Sequence, residues 1–258
     1  MKIFAQLADS LGIGLLAAAN PLNIVRKIVA LQNLGNAVNR NWPDIVQKSC
    51  DILGNDAGKA SHESGAPWIT LAAGRGHLEC LEILLLSGAD PRSTERDGTS
   101  ALAVASEHGH FRCVEALLLA GADPNALNFA GESALSGLAN KTVRSWAKGA
   151  GVDYARCAQI LAAAGADINH RYLGSTPLRM SAERGYSDIA IALLDAGACF
   201  APDSPAPAAS AAYYCARSNG KDDCARDLYP HHQASEDKAA LSAHISEHAP
   251  DARRSCRL

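Results

Sequence analysis

Apolar positions in the middle of the chain fall into two registers offset by 33 residues. Gly65 to Asp90 reads GAPWITLAAGRGHLECLEILLLSGAD, and Gly98 to Asp123 reads GTSALAVASEHGHFRCVEALLLAGAD. Within the second copy, Gly98 allows a sharp turn and Ser100 stands where an N-cap is needed. Ala101, Leu102, Ala105 and Ser106 then predict a narrow first helix that ends at Gly109. His110 to Ala120 predicts a second helix whose apolar stripe is Phe111, Val114, Leu117 and Leu118, closed at Gly121. Neither helix can bury its apolar side alone, so units of this kind must stack.

Further copies are legible on both sides. One opens at Gly131 and closes at Gly165, 34 residues on where Gly98 to Gly121 takes 23. The added residues lie around Lys141 to Val152 and predict an extended first helix plus a loop. Another copy runs from Gly174 to Gly197, followed by Pro202, Pro205 and Pro207. A weaker copy fits Ala212–Arg217 and Gly220–Ala225, ending at Leu228-Tyr229-Pro230, and Ser235–His248 predicts a separate closing helix. Upstream, residues 2–18 carry Ile3, Phe4, Leu7, Leu11 and Leu15 at helical spacing. Pro21 starts a helix with Ile24, Val25, Ile28, Val29 and Leu31, and Pro43–Leu53 a third with Ile45, Val46, Cys50 and Ile52 inward, stopped by Gly54.

The 33-residue period, Gly76-His77 and Gly109-His110 between helices, Gly-Ala-Asp at 88, 121 and 165, and Thr176-Pro177-Leu178 together resemble the ankyrin repeat. The full Thr-Pro-Leu-His signature is absent, with Thr70, Ala103, Ser136 and Arg179 at the His position. The resemblance implies an all-α solenoid of about five to six helix-turn-helix units with atypical capping helices at both ends. Residues 1–64 are expected to form a helical N-terminal cap with a degenerate first repeat at 22–54. The array spans 65–230 in units 65–97, 98–130, 131–173, 174–206 and 207–230, and 231–258 form a capping helix and polar tail.

Composition narrows the chemistry. A formal charge of -3 offers no basic surface for nucleic acid. Aromatic residues make up 5% against 48% hydrophobic, a balance suited to small helices packed closely. Four of eight cysteines, Cys80, Cys113, Cys157 and Cys224, share one second-helix site that Ile189 also occupies. A site taken by both Cys and Ile is apolar, so free thiols in a reducing, cytoplasmic compartment are expected, or a host cytosol for a secreted effector. Residues 1–19 superficially resemble a secretory leader, but Gln6, Asp9 and Ser10 interrupt it. His231 and His232 with His244 and His248 fix no complete metal site. No cofactor, metal or catalytic constellation is expected, nor a membrane span.

The ankyrin resemblance places function on a concave strip made of the turns before each repeat glycine and the exposed sides of the first helices. Carried onto this chain, the strip holds Arg96, Asp97, Thr99, Glu107 and His108, then Phe129 and Glu132, then Arg171, Tyr172, Leu173 and Arg184, joined by Arg144 and Trp146 from the added segment. Bulky apolar residues at turn tips and arginines suit protein contact. The expectation is a non-catalytic adaptor or inhibitor that binds another protein as a monomer, of the bacterial effector or immunity type. The alternative is an effector or enzyme in which the N-terminal segment acts and the repeats choose the target.

Overall fold

The computed structural model describes residues 21–57, 67–140, 153–201 and 207–248. The helix expected at 2–18, the extended helix and loop at 141–152 and the tail after 248 lie outside the described residues. Twelve α-helices are described: α1 (Pro21–Arg40), α2 (Pro43–Leu53), α3 (Trp68–Arg75), α4 (Leu78–Leu86), α5 (Ala101–Glu107), α6 (Phe111–Leu119), α7 (Ala134–Asn140), α8 (Tyr154–Ala163), α9 (Pro177–Arg184), α10 (Ser187–Asp195), α11 (Ala208–Ser218) and α12 (Asp222–His248). A single 3-10 turn follows α2 at Gly54–Asp56. The only pairing of β type among the described residues is three isolated bridges.

These helices form six antiparallel pairs. The odd-numbered first helices pack side by side in one row, the even-numbered second helices in another. Most of these helices have seven to eleven residues, too short to persist alone in water. Burial between rows and between pairs holds them. Leu102, Leu117, Leu135, Leu138, Leu161, Leu178 and Leu193 are all sealed from solvent, each contributing about 1.5–3 kcal/mol. Alanines at 101, 103, 105, 134 and 139 are also buried and let the first helices lie close.

Local chemistry sets the boundaries. Ser100 Oγ accepts from the Ala103 N–H at 3.1 Å, as the sequence suggested, and Asp153 caps α8 the same way through Arg156 N–H at 2.9 Å. Gly76 ends α3 at a φ of 71°, in left-handed backbone. Its missing Cβ also matters, because that atom would lie 2.5 Å from Nδ1 of His110 in the next pair. Asn41, at a φ of 53°, performs the same turn between α1 and α2.

Two expectations are corrected, the inward placing of Ile45 and Ile52 in α2 and the separate closing helix. Helix α1 buries Ala30, Leu31, Leu34, Ala37 and Val38 and leaves Val29 exposed; α2 buries Val46, Ser49, Cys50 and Leu53 and leaves Ile45 and Ile52 exposed. The expected closing helix at Ser235 is not separate. Helix α12 runs unbroken through Pro230, which is exposed, so the carbonyl that loses its partner there is met by water while buried Leu228 and His232 hold the helix on either side.

The register cysteines and Cys50 are all buried and unbridged; Cys215, half-buried, and Cys199, exposed, are unbridged too. Burial pushes the Cys80 thiol up to about 11 and Cys113 to about 12, and raises Cys157 further still. With a thiol reagent at pH 8, exposed Cys199 should therefore react quickly. Cys80, Cys113, Cys157 and Cys224 should resist until denaturant is added, read by mass spectrometry of the labelled peptides; fast labelling of all four in the native state would contradict this packing.

Candidate functional site

The turns before the repeat glycines project as hairpin fingers. In the first, Glu95 N–H donates to Thr99 O at 2.9 Å; in the second, Asn128 N–H donates to Glu132 O at 3.1 Å. In the third, Tyr172 N–H donates to Ser175 O at 3.0 Å. Three residues lie inside each of the first two loops and only Leu173-Gly174 in the third. The deleted residue forces Leu173 to a φ of 50°, left-handed backbone that a branched apolar side chain seldom occupies.

Neighbouring fingers are tied together. Phe129 N–H donates to Asp97 O at 2.9 Å, and His170 Nε2 donates to Gly131 O at 2.9 Å. A second line of ties runs along the loops after the second helices. There Arg92 Nε donates to Gly121 O at 3.3 Å, and Asn125 accepts from Asp167 N–H at 2.7 Å while donating to Gly165 O at 3.1 Å. Asn169 accepts from Cys199 N–H at 2.7 Å. These residues recur two places after Asp90, Asp123 and Asp167, a periodic signal the sequence held and the motif reading passed over.

The expected site residues divide by exposure. Phe129 and Leu173 stand at adjacent finger tips with 83% and 84% of their surface exposed, and Arg96, Asp97 and Arg171 are exposed beside them. Tyr172, His108, Glu132 and Arg184 are half-buried. Glu132 accepts from Asn140 Nδ2 at 3.0 Å, and Asn140 Oδ1 accepts from Arg184 Nη2 at 2.5 Å, so a finger, α7 and α9 share one polar chain.

Thr99 and Glu107 are corrected: both are buried. Thr99 lies at the root of a finger that its neighbour flanks. Glu107 lies across α7, where Gly137 makes room; a Cβ on Gly137 would stand 2.7 Å from Glu107 Oε1. A glycine inside ALSGLAN was the sequence sign of that close approach. Arg144 and Trp146 lie outside the described residues.

The interhelix histidines have structural partners. His77 Nδ1 donates to Val38 O of the preceding pair at 2.7 Å. His110 bonds the Gly74 backbone in the same way, and burial first, then the neighbouring His108, lowers its pKa. At the other end, His232 Nδ1 lies 3.0 Å from Ser210 Oγ and Nε2 lies 3.6 Å from Glu236. This hydroxyl, imidazole and carboxylate series is a packing tie. Ser210 and His232 are both buried, and Tyr213 stacks on the ring at 4.6 Å.

A row of linked helix pairs with fingers along one edge defines a repeat solenoid. The model for ankyrin repeats, in three copies, matches residues 34–128, and the row of helix pairs fits an all-α ankyrin solenoid. That match begins within α1, so the pair α1–α2 is counted among the repeats. The pairs after residue 131 keep the same build. No curated protein matches the chain. Ankyrin repeats are generally protein–protein interaction modules and typically lack catalytic activity. Among the described residues no helix is long and apolar enough to cross a membrane.

His110 supplies a test of the ties between pairs. Its folded pKa lies below the unfolded value near 6.5, so the stabilisation it gives is present above that pH and declines as pH falls through it. The melting temperature should fall more between pH 7 and pH 5.5 for the native chain than for His110→Gln; equal slopes would contradict the assignment.

Proposed function

We propose that this chain is a non-catalytic binding module that docks another protein on the face formed by its fingers and first helices, and acts as an adaptor or an inhibitor of that partner. The reading rests on one observation, the two bulky apolar side chains Phe129 and Leu173 held in water on adjacent fingers, one of them in unfavourable backbone. Leu at this φ costs about 1–2 kcal/mol relative to ordinary backbone. A turn selected for stability alone would carry Asn, Asp or Gly there.

The surroundings suit recognition. Arg96, Arg171 and Arg184 lie around the apolar tips, with Asp97 and Glu132 supplying the opposite sign. Ties between fingers keep the row ordered before binding, so little conformational freedom is lost on docking. Electrostatic pairing with the arginines then selects the partner's register. The unbridged thiols support a reducing compartment such as the cytoplasm.

Leu173→Asn separates function from stability. Asn tolerates left-handed backbone, so the variant should be as stable as the native chain or more stable by up to about 1 kcal/mol in urea unfolding. Capture of partner proteins from a lysate of the source organism, quantified by isotope-labelled mass spectrometry, should fall sharply for Leu173→Asn and for Phe129→Ala. Unchanged capture by both would place binding elsewhere.

A further inference from the structure

The first helix pair has an open flank. Each later pair buries the residue four places after its interhelix turn, which is Cys80, Cys113, Cys157, Ile189 and Cys224 in turn. Counting from Asn41, the same site in the first pair is Ile45, and it is exposed. Cys80 shows what covers the site: its thiol donates to Asn41 of the preceding pair at 3.4 Å. Among the described residues no helix pair precedes α1 and α2 to cover Ile45 in that way.

The exposed flank carries four apolar side chains with polar Asn33, Asn36 and Lys48 interspersed, the mixture an amphipathic segment would cover. Cys50 of α2 bonds Ser87, so that side of α2 faces the next pair. Ile45 and Ile52 lie about 140–160° round the helix from Cys50, on the far side. In α1, Gly35 faces the Trp68 ring of the next pair, and Val29 lies about 120° away. The Lys27–Asp56 ion pair, at 2.5 Å, sets the start of α1 beside the end of α2, which brings Val29 level with Ile52. Val29, Trp42, Ile45 and Ile52 keep 36–47% of their surface exposed.

The chain carries a fitting occupant immediately upstream. Ile3, Leu7, Leu11 and Leu15 recur at intervals of four, one stripe of a helix about 25 Å long, against about 30 Å for α1. Asn20-Pro21 joins it to α1, and a residue before proline is driven out of helical backbone, so the chain can reverse there. We propose that residues 2–18 fold back as an amphipathic helix on the open flank of α1 and α2, cover Ile45, and so close the array as a preceding repeat would.

Hydroxyl-radical footprinting of the full chain beside Leu7→Asp/Leu11→Asp tests this. Oxidation of Trp42 and Ile52 should rise several-fold in the variant while buried Ile69 and Leu84 stay protected. Amide exchange over residues 2–18 should be at least about tenfold slowed in the native chain. The proposal is overturned if Trp42 and Ile52 label equally in both chains, if the intact mass shows the first 18 residues removed, or if their protection appears only with a dimer in light scattering. Should the double variant unfold, Ile52→Asp gives the reciprocal reading: release of amides 2–18 supports the docking, and retained slow exchange overturns it.

Discussion

The structure depends on burial that no helix pair can complete by itself. A first helix of seven or eight residues and a second of nine or ten enclose too little apolar surface to stand alone, and the leucines that seal one pair are sealed in turn by the next. Alanine at the close approaches and leucine where the rows meet are two sides of that requirement. So is the recurring cysteine, which fills a small apolar site against the preceding pair and has its thiol proton held by burial.

The same constraint orders the finger edge. Because each pair is fixed to its neighbours, the fingers inherit a set spacing, and the bonds from Phe129 to Asp97 and from His170 to Gly131 lock them in a row. Variation is then affordable only where packing does not decide the residue, at the tips and on the open sides of the first helices. The deletion that leaves Leu173 in left-handed backbone is local for this reason: the pair beneath it, α9 and α10, keeps its caps and its buried leucines.

Much of this was legible in the residues. The period, the glycine turns, the Ser100 cap and the buried register cysteines all follow from spacing, because they repeat and each repetition confirms the others. What escaped lies where the period ends or where a neighbour decides burial. Ile45 and Ile52 look inward by hydrophobicity, yet at the first pair no described layer covers them. Glu107 looks solvent-facing by charge, but Gly137 on the adjoining helix opens a berth for it. Pro230 looks like a stop, but its side of α12 is in water and the buried residues around it carry the helix on.

The most direct test of mutual burial is amide exchange on a chain with one cavity. Leu117→Ala removes a fully buried side chain from α6 and should cost about 2–5 kcal/mol. If the pairs share one interior, protection should fall most in α5 and α6, substantially in α4 and α8 on either side, and least in α2 and α12. Loss confined to α5 and α6, with both flanking pairs unchanged, would contradict the account.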